Sequence, residues 1–117
     1  MRNPQWDLEE AILLIDLGIR CETEQYDNKT RDKELKELSD FLRHRADVMG
    51  FQHDDTFRNY AGIRKQYFFR VLSVVTHGKK GTPSSSPRPI DFQAMKIYEN
   101  DPDNFKEIVD TIYRKYK

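Results

Sequence analysis

At 117 residues with a mean hydropathy of -0.88, the chain is sized for one domain with a modest core, which its 14 aromatic residues must help to build. Its 20 bases balance 20 acids, so net charge alone names no partner, and the single Cys21 excludes an internal disulfide and points to a reducing compartment. The longest apolar run, "AILLI", is five residues against the roughly 18 of a membrane span, and "MRNPQWDLEE" lacks the layout of a signal peptide, so a cytoplasmic protein is expected.

The first element begins in "WDLEEAILLIDLGIR". Asp7 stands three residues before Glu10, the spacing at which cap and third helical residue shield each other's orphan amides. Leu8, Ile12, Ile15 and Ile19 recur at helical spacing, and Leu13, Leu14 and Leu17 widen the stripe. A face that wide belongs to a central helix touched on more than one side, with Asp16 a candidate buried anchor. Cys21 reads as a small apolar residue near the helix end. "CETEQYDNKTRDK" lacks a clear period and reads as a loop or fraying lead-in. "ELKELSDFLRHRADVMG" then sets Leu35, Leu38, Leu42 and Ala46 on one stripe of a second helix, with Gly50 its stop.

"FQHDDTFRN" is a connector. From Asn59 or Tyr60 the chain can run as a third helix carrying Ile63, Tyr67, Val71 and Val74 on one side. The composition of "YFFRVLSVV" favours strand instead, and a short hairpin near 68–82 is the alternative to helix. "THGKKGTPSSSPRP" is a long Gly/Ser/Pro loop, about 77–90. Asp91 opens a short helix with Phe92, Met95 and Tyr98. A last helix starts at the cap Asp101 with Pro102 in its first position, then Phe105, Ile108, Val109, Ile112 and Tyr116. The expected fold is mainly α, a single domain of four to five helices with one long basic loop.

Charge is distributed unevenly. From Phe57 to Ile90, 34 residues hold seven bases (Arg58, Arg64, Lys65, Arg70, Lys79, Lys80 and Arg88) and no acid, leaving the remainder of the chain with 13 bases against 20 acids. A positive segment suits a phosphate backbone, because neutralising phosphates releases condensed counterions. The arginines can bind phosphate or guanine through two parallel hydrogen bonds, and the amides of Asn59 and Gln66 can pair with the edge of adenine. Solvated faces and helix-to-helix ion pairing explain a basic run equally well. Likewise Tyr60, Tyr67, Phe68 and Phe69 are core residues before they are stacking platforms.

No catalytic constellation is legible. His44, His53 and His77 lack metal-site spacing, "HDD" at 53–55 fits a polar connector, and "HGKKGT" is no phosphate-binding loop. No enzyme activity, metal or cofactor is expected.

Three stretches in order carry a resemblance: Trp6, Glu9, Glu10, Asp16 and Leu17; Leu38, Ser39, Leu42 and Arg43; and Phe57, Arg58, Asn59, Gly62 and Ile63. Together, over roughly the first 75 residues, the chain resembles the N-terminal domains of McrA-like restriction endonucleases. The resemblance implies a module that binds double-stranded DNA in a restriction or defence system, in several members DNA with modified bases. It implies that cleavage belongs to a separate HNH nuclease domain, fused or partnered, of which nothing is recognisable here. Gln66 stands where a Lys is frequent in that family. Within the motif, Asn59 serves as well for a helix cap as for a base reader.

Overall fold

A computed structural model of the chain describes residues 4–82 and 85–117. Its elements are α1 (Leu8–Thr23), α2 (Asn28–Val48), α3 (Tyr60–Gln66), a π-helical turn (Tyr67–Val71), α4 (Leu72–Val75), α5 (Pro89–Asn100) and α6 (Pro102–Lys115). The segment from α3 through α4 is continuous, so five helical rods make the domain. No strand occurs among the described residues, and the hairpin alternative at 68–82 is replaced by helix up to Val75.

The axis of the fold is α1, whose residues from Glu10 to Ile15 and at Leu17, Gly18 and Cys21 are all buried. It needs so many apolar positions because α2, α4, α5, α6 and the π turn all pack against it. The Asp7–Glu10 capping box forms as the spacing requires, each side chain accepting the other's backbone N–H at 3.0 and 3.1 Å. Leu35, Leu38, Leu42 and Ala46 bury the inner stripe of α2. That helix starts earlier than the polar composition of 21–33 suggests: Asp27 caps it through the amide of Thr30 at 2.7 Å, leaving only a short connector after α1.

The rod from Tyr60 to Val75 lies against α1 at Gly18. A methyl group on Gly18 would stand 2.9 Å from Val71 Cγ1 and 3.2 Å from Val75 Cγ1, closer than carbon atoms pack. Glycine lets the two backbones approach. Tyr67 and Val71 face the core across the π turn, whose extra residue re-aims the side chains that follow.

α5 begins two residues earlier than expected. Pro89 takes the first helical position and Asp91 the third, where it accepts the amide of Arg88 at 2.8 Å. Met95 is buried and Tyr98 packs against the core, whereas Phe92, expected on the apolar face, is 56% exposed. Asp101 caps α6, and Phe105, Val109, Ile112 and Tyr116 are buried as their spacing predicts. Of the loop expected over 77–90, residues 83–84 lie outside the described residues, as does the N-terminal 1–3. No helix among the described residues is long and apolar enough to cross a membrane.

Candidate nucleic-acid interface

The three motif stretches converge on the turn 57–59. Phe57 is buried, and Arg58 adopts a left-handed backbone with φ of 47°, a strained conformation for a residue with a Cβ. Side chains from α2 hold that turn in place. Ser39 Oγ donates to the Arg58 carbonyl at 2.6 Å, and the Arg43 guanidinium donates to the carbonyls of Phe57 and Asp55. The Arg58 side chain then reaches α1, where its guanidinium binds both carboxylate oxygens of Glu10 at 2.7 and 3.1 Å and donates to the Pro4 carbonyl.

Trp6 completes this cluster. Arg58 stacks on its ring at 4.8 Å and Arg88 stacks on it at 4.8 Å, while Arg88 forks onto the fully buried Asp91. Two arginine–carboxylate pairs thus flank one indole. Arg58 is 8% exposed and Arg88 19%, so neither guanidinium is presented to a duplex. Asn59 caps α3, accepting the amide of Gly62 at 2.8 Å, and its side-chain oxygen is spent there. Arg58, Asn59 and Arg88, all expected at the DNA contact, are thus each bonded within the domain.

The other expected residues lie nearer the surface. Arg64 is 47% exposed and stacks on Phe68 at 4.8 Å, with Asp32 at 3.9 Å. Arg31 of α2 also stacks on Phe68, at 4.9 Å, and pairs with Asp32 at 3.1 Å. Phe68 is therefore contacted by two guanidinium groups, one from each helix. Lys65 and Lys79 are exposed and make no ion pair among the described residues. Lys80 is exposed and pairs with Glu22 at 2.9 Å. Arg70 donates to the Ser86 carbonyl at 2.7 Å rather than to an acid. The Gln66 side-chain oxygen is buried and accepts no hydrogen bond within the described residues.

Arg31, Phe68 and Lys80 meet at the rim of a cavity of about 200 Å³ floored by Cys21 and Tyr67. Burial pushes both of these groups up, so phenol and thiol are neutral at physiological pH. Tyr26 and Asn28 supply further aromatic and amide surface. The turn after α4 brings Lys80 to this side. His77 and Gly78 take positive φ of 53° and 83°, and the amide of Lys80 donates to Thr76 Oγ1 at 3.0 Å. Arg64, Lys65, Phe68 and Lys80 thus form a basic-aromatic surface, with Arg31 buttressing it from below.

The charge segregation seen along the chain is partly cancelled in space. Arg58, Arg64, Lys80 and Arg88 of the acid-free segment approach Glu10, Asp32, Glu22 and Asp91, all outside it. Arg31 carries no linear signal of its position, because it lies on another helix, of mixed charge. The same holds for Arg45, a 5% exposed side chain bonded to Asp7 and Glu9 and stacked on Tyr116. There burial works to lower the guanidinium's pKa, yet the bonds from Glu9 and Asp7 outweigh it and raise the value.

His53 does not gather with other ligand-type side chains; its ring stacks on Phe57 at 4.7 Å and meets Asp47 at 2.8 Å. No group of three or more ligand-type side chains suited to a metal ion occurs among the described residues. In comparisons with protein-family models, curated proteins and solved structures, nothing matches this chain.

Proposed function

We propose that this domain binds double-stranded DNA, using the surface around Arg64, Lys65, Phe68, Lys79 and Lys80 and mainly contacting phosphates. The observation that carries the reading is the 34-residue run with seven bases and no acid. Three of its bases, Lys65, Lys79 and Lys80, are exposed together with Arg64 along one rod and the turn that follows it. Arginine held over an aromatic ring loses less freedom on meeting a phosphate, and the weak approach of Asp32 to Arg64 is readily exchanged for one. The neighbouring 200 Å³ cavity has room for a phosphate or the edge of a base. Recognition of modified bases, and a place in restriction or defence beside an HNH nuclease, rest on the resemblance to the McrA-like domains alone.

A second reading has its own support. Glu22 and Asp32 are carboxylates already seated among these bases, so an acidic segment of a partner protein could take the same places. Electrophoretic shift of a short duplex across a salt series separates the two. About five phosphate contacts predict a loss of several hundredfold in affinity between roughly 50 and 200 mM salt. Arg64→Ala, Lys65→Ala and Lys79→Ala should each weaken binding and reduce the salt slope by about one. Binding of polyglutamate in preference to duplex, with no duplex shift at low salt, would favour the acidic partner.

A further inference from the structure

A second cavity of the domain lies away from the basic surface. It is a groove of about 680 Å³ between the C-terminal half of α1, α2 and α6. Leu38, Phe105, Val109 and Tyr113 give it an apolar floor. Its walls carry Asp16, Glu24, Glu34, Glu37, Asp103 and Asp110 against two bases, Arg20 and Lys106. Arg20 is already engaged, holding Asp16 at 3.0 Å and Glu34 at 2.7 Å.

From the apolar floor and the excess of carboxylates on the walls, we infer that this groove docks a cationic amphipathic segment of a partner polypeptide. Apolar side chains on one face of that segment would cover the floor, and its lysines or arginines would meet the walls. An apolar ligand without charge would leave the carboxylates unmatched. A flexible polycation without apolar groups would leave the floor wet.

Two further observations fit this occupant. Burial above all, with Asp110 and Glu34 adding to it, holds the Asp16 carboxyl above its ordinary value despite Arg20. Incoming positive charge relieves that repulsion. Tyr113 is pushed up to about 12, mainly by burial, and so presents a neutral phenol beside the acids.

The groove and the basic surface occupy opposite flanks of α2. At about 100° per residue, Asp32, Ser39 and Arg43 fall on one flank and Glu34, Glu37 and Phe41 on the other. The contacts agree. The first flank meets Arg64, Arg58 and Phe57, while the second meets Arg20 of α1 and Tyr113 of α6. The peptide segment and a ligand on the basic surface therefore bind at the same time.

The test uses a fluorescein-labelled Lys/Leu amphipathic peptide about five helical turns long, with Lys/Ser and Glu/Leu peptides of equal length. Anisotropy should report binding of the Lys/Leu peptide, with the other two at least tenfold weaker. Glu37→Lys combined with Asp110→Lys should lower its affinity at least tenfold. Asp40→Lys, on the exposed outer face of α2, should change it less than twofold. In the parent protein, the peptide should shift the NMR signals of Tyr113 and Val109 and leave those of Phe68 unmoved, whatever the variants do to folding. Absence of binding, equal binding of the Lys/Ser peptide, an Asp40→Lys effect as large as that of the groove variant, or shifts centred away from the groove would each overturn the inference.

Discussion

Arg58 and Glu10, 48 positions apart, form a two-pronged ion pair at 2.7 and 3.1 Å with only 8% and 3% of their side chains exposed. Glu10 also accepts the Asp7 amide, so one carboxylate closes the cap of α1 and anchors the turn before α3. Burying two charges is costly, and the pair is tolerable because both oxygens and the guanidinium are bonded.

Removing one partner leaves the other buried and unpaired. Arg58→Ala should therefore destabilise the domain by about 3–5 kcal/mol in urea titration. Arg58→Met with Glu10→Gln, which keeps a capping oxygen and removes both charges, should recover a large part of that loss. An Arg58→Ala protein within about 1 kcal/mol of the parent would show that the pair does not hold the turn.

Asn59 supplies a smaller and separable effect. Losing its bond to the Gly62 amide in Asn59→Ala should cost roughly 1 kcal/mol, and Asn59→Asp, which keeps the acceptor, far less. Duplex affinity of Asn59→Ala, measured where it is fully folded, should be unchanged. A loss of affinity in folded Asn59→Ala would return this side chain to the interface.

Gly18→Ala tests the close approach of α1 to the rod beyond it. Alanine is the better helix former, yet its methyl group would meet Val71 Cγ1 at 2.9 Å. Overpacking at such a site costs about 1–3 kcal/mol, more than the roughly 1 kcal/mol gained in helix propensity. A melting temperature below that of the parent is expected. Pairing the change with Val71→Ala should restore part of it, and a higher melting temperature in the single variant would refute the contact.

His53 gives the connector a pH dependence. Its pKa is raised by the hydrogen bond with Asp47 and then by the Asp54 backbone, so the imidazolium is favoured in the folded state. The sign follows. The stabilisation is complete below the ordinary histidine value of about 6.5 and fades as pH climbs through the raised one. The gap in melting temperature between the parent and Asp47→Asn should be wider near pH 5.5 than near pH 8.5. A gap independent of pH would mean that the pair is not ionic.

Periodicity and caps by themselves determined that α1, α2 and α6 are helices. The stripes of α1, α2 and α6 repeat every three or four residues, and Asp7 and Asp101 stand where orphan amides need an acceptor. Such information is local, carried by residues within one or two turns. The hairpin alternative at 68–82 arose because β-branched and aromatic residues serve a buried helix as well as a strand, and packing on α1 decided between them. The π turn and the early start of α5 at Pro89 were likewise invisible, because a ladder shift and a cap depend on what a segment packs against.

The candidate site divides along the same line. An acid-free run of bases is a property of the chain. Which of those bases face outward is not. Arg58 and Arg88 turn onto Glu10 and Asp91, while Arg31, from a helix of mixed charge, joins Arg64 on the ring of Phe68. Coulomb attraction and desolvation act through space, over a few ångströms, and so join residues 48 positions apart, as for Arg58 and Glu10. Composition and residue order determined how much charge this chain carries and in which segment. Only the fold decided which charges are spent on holding it together and which remain exposed.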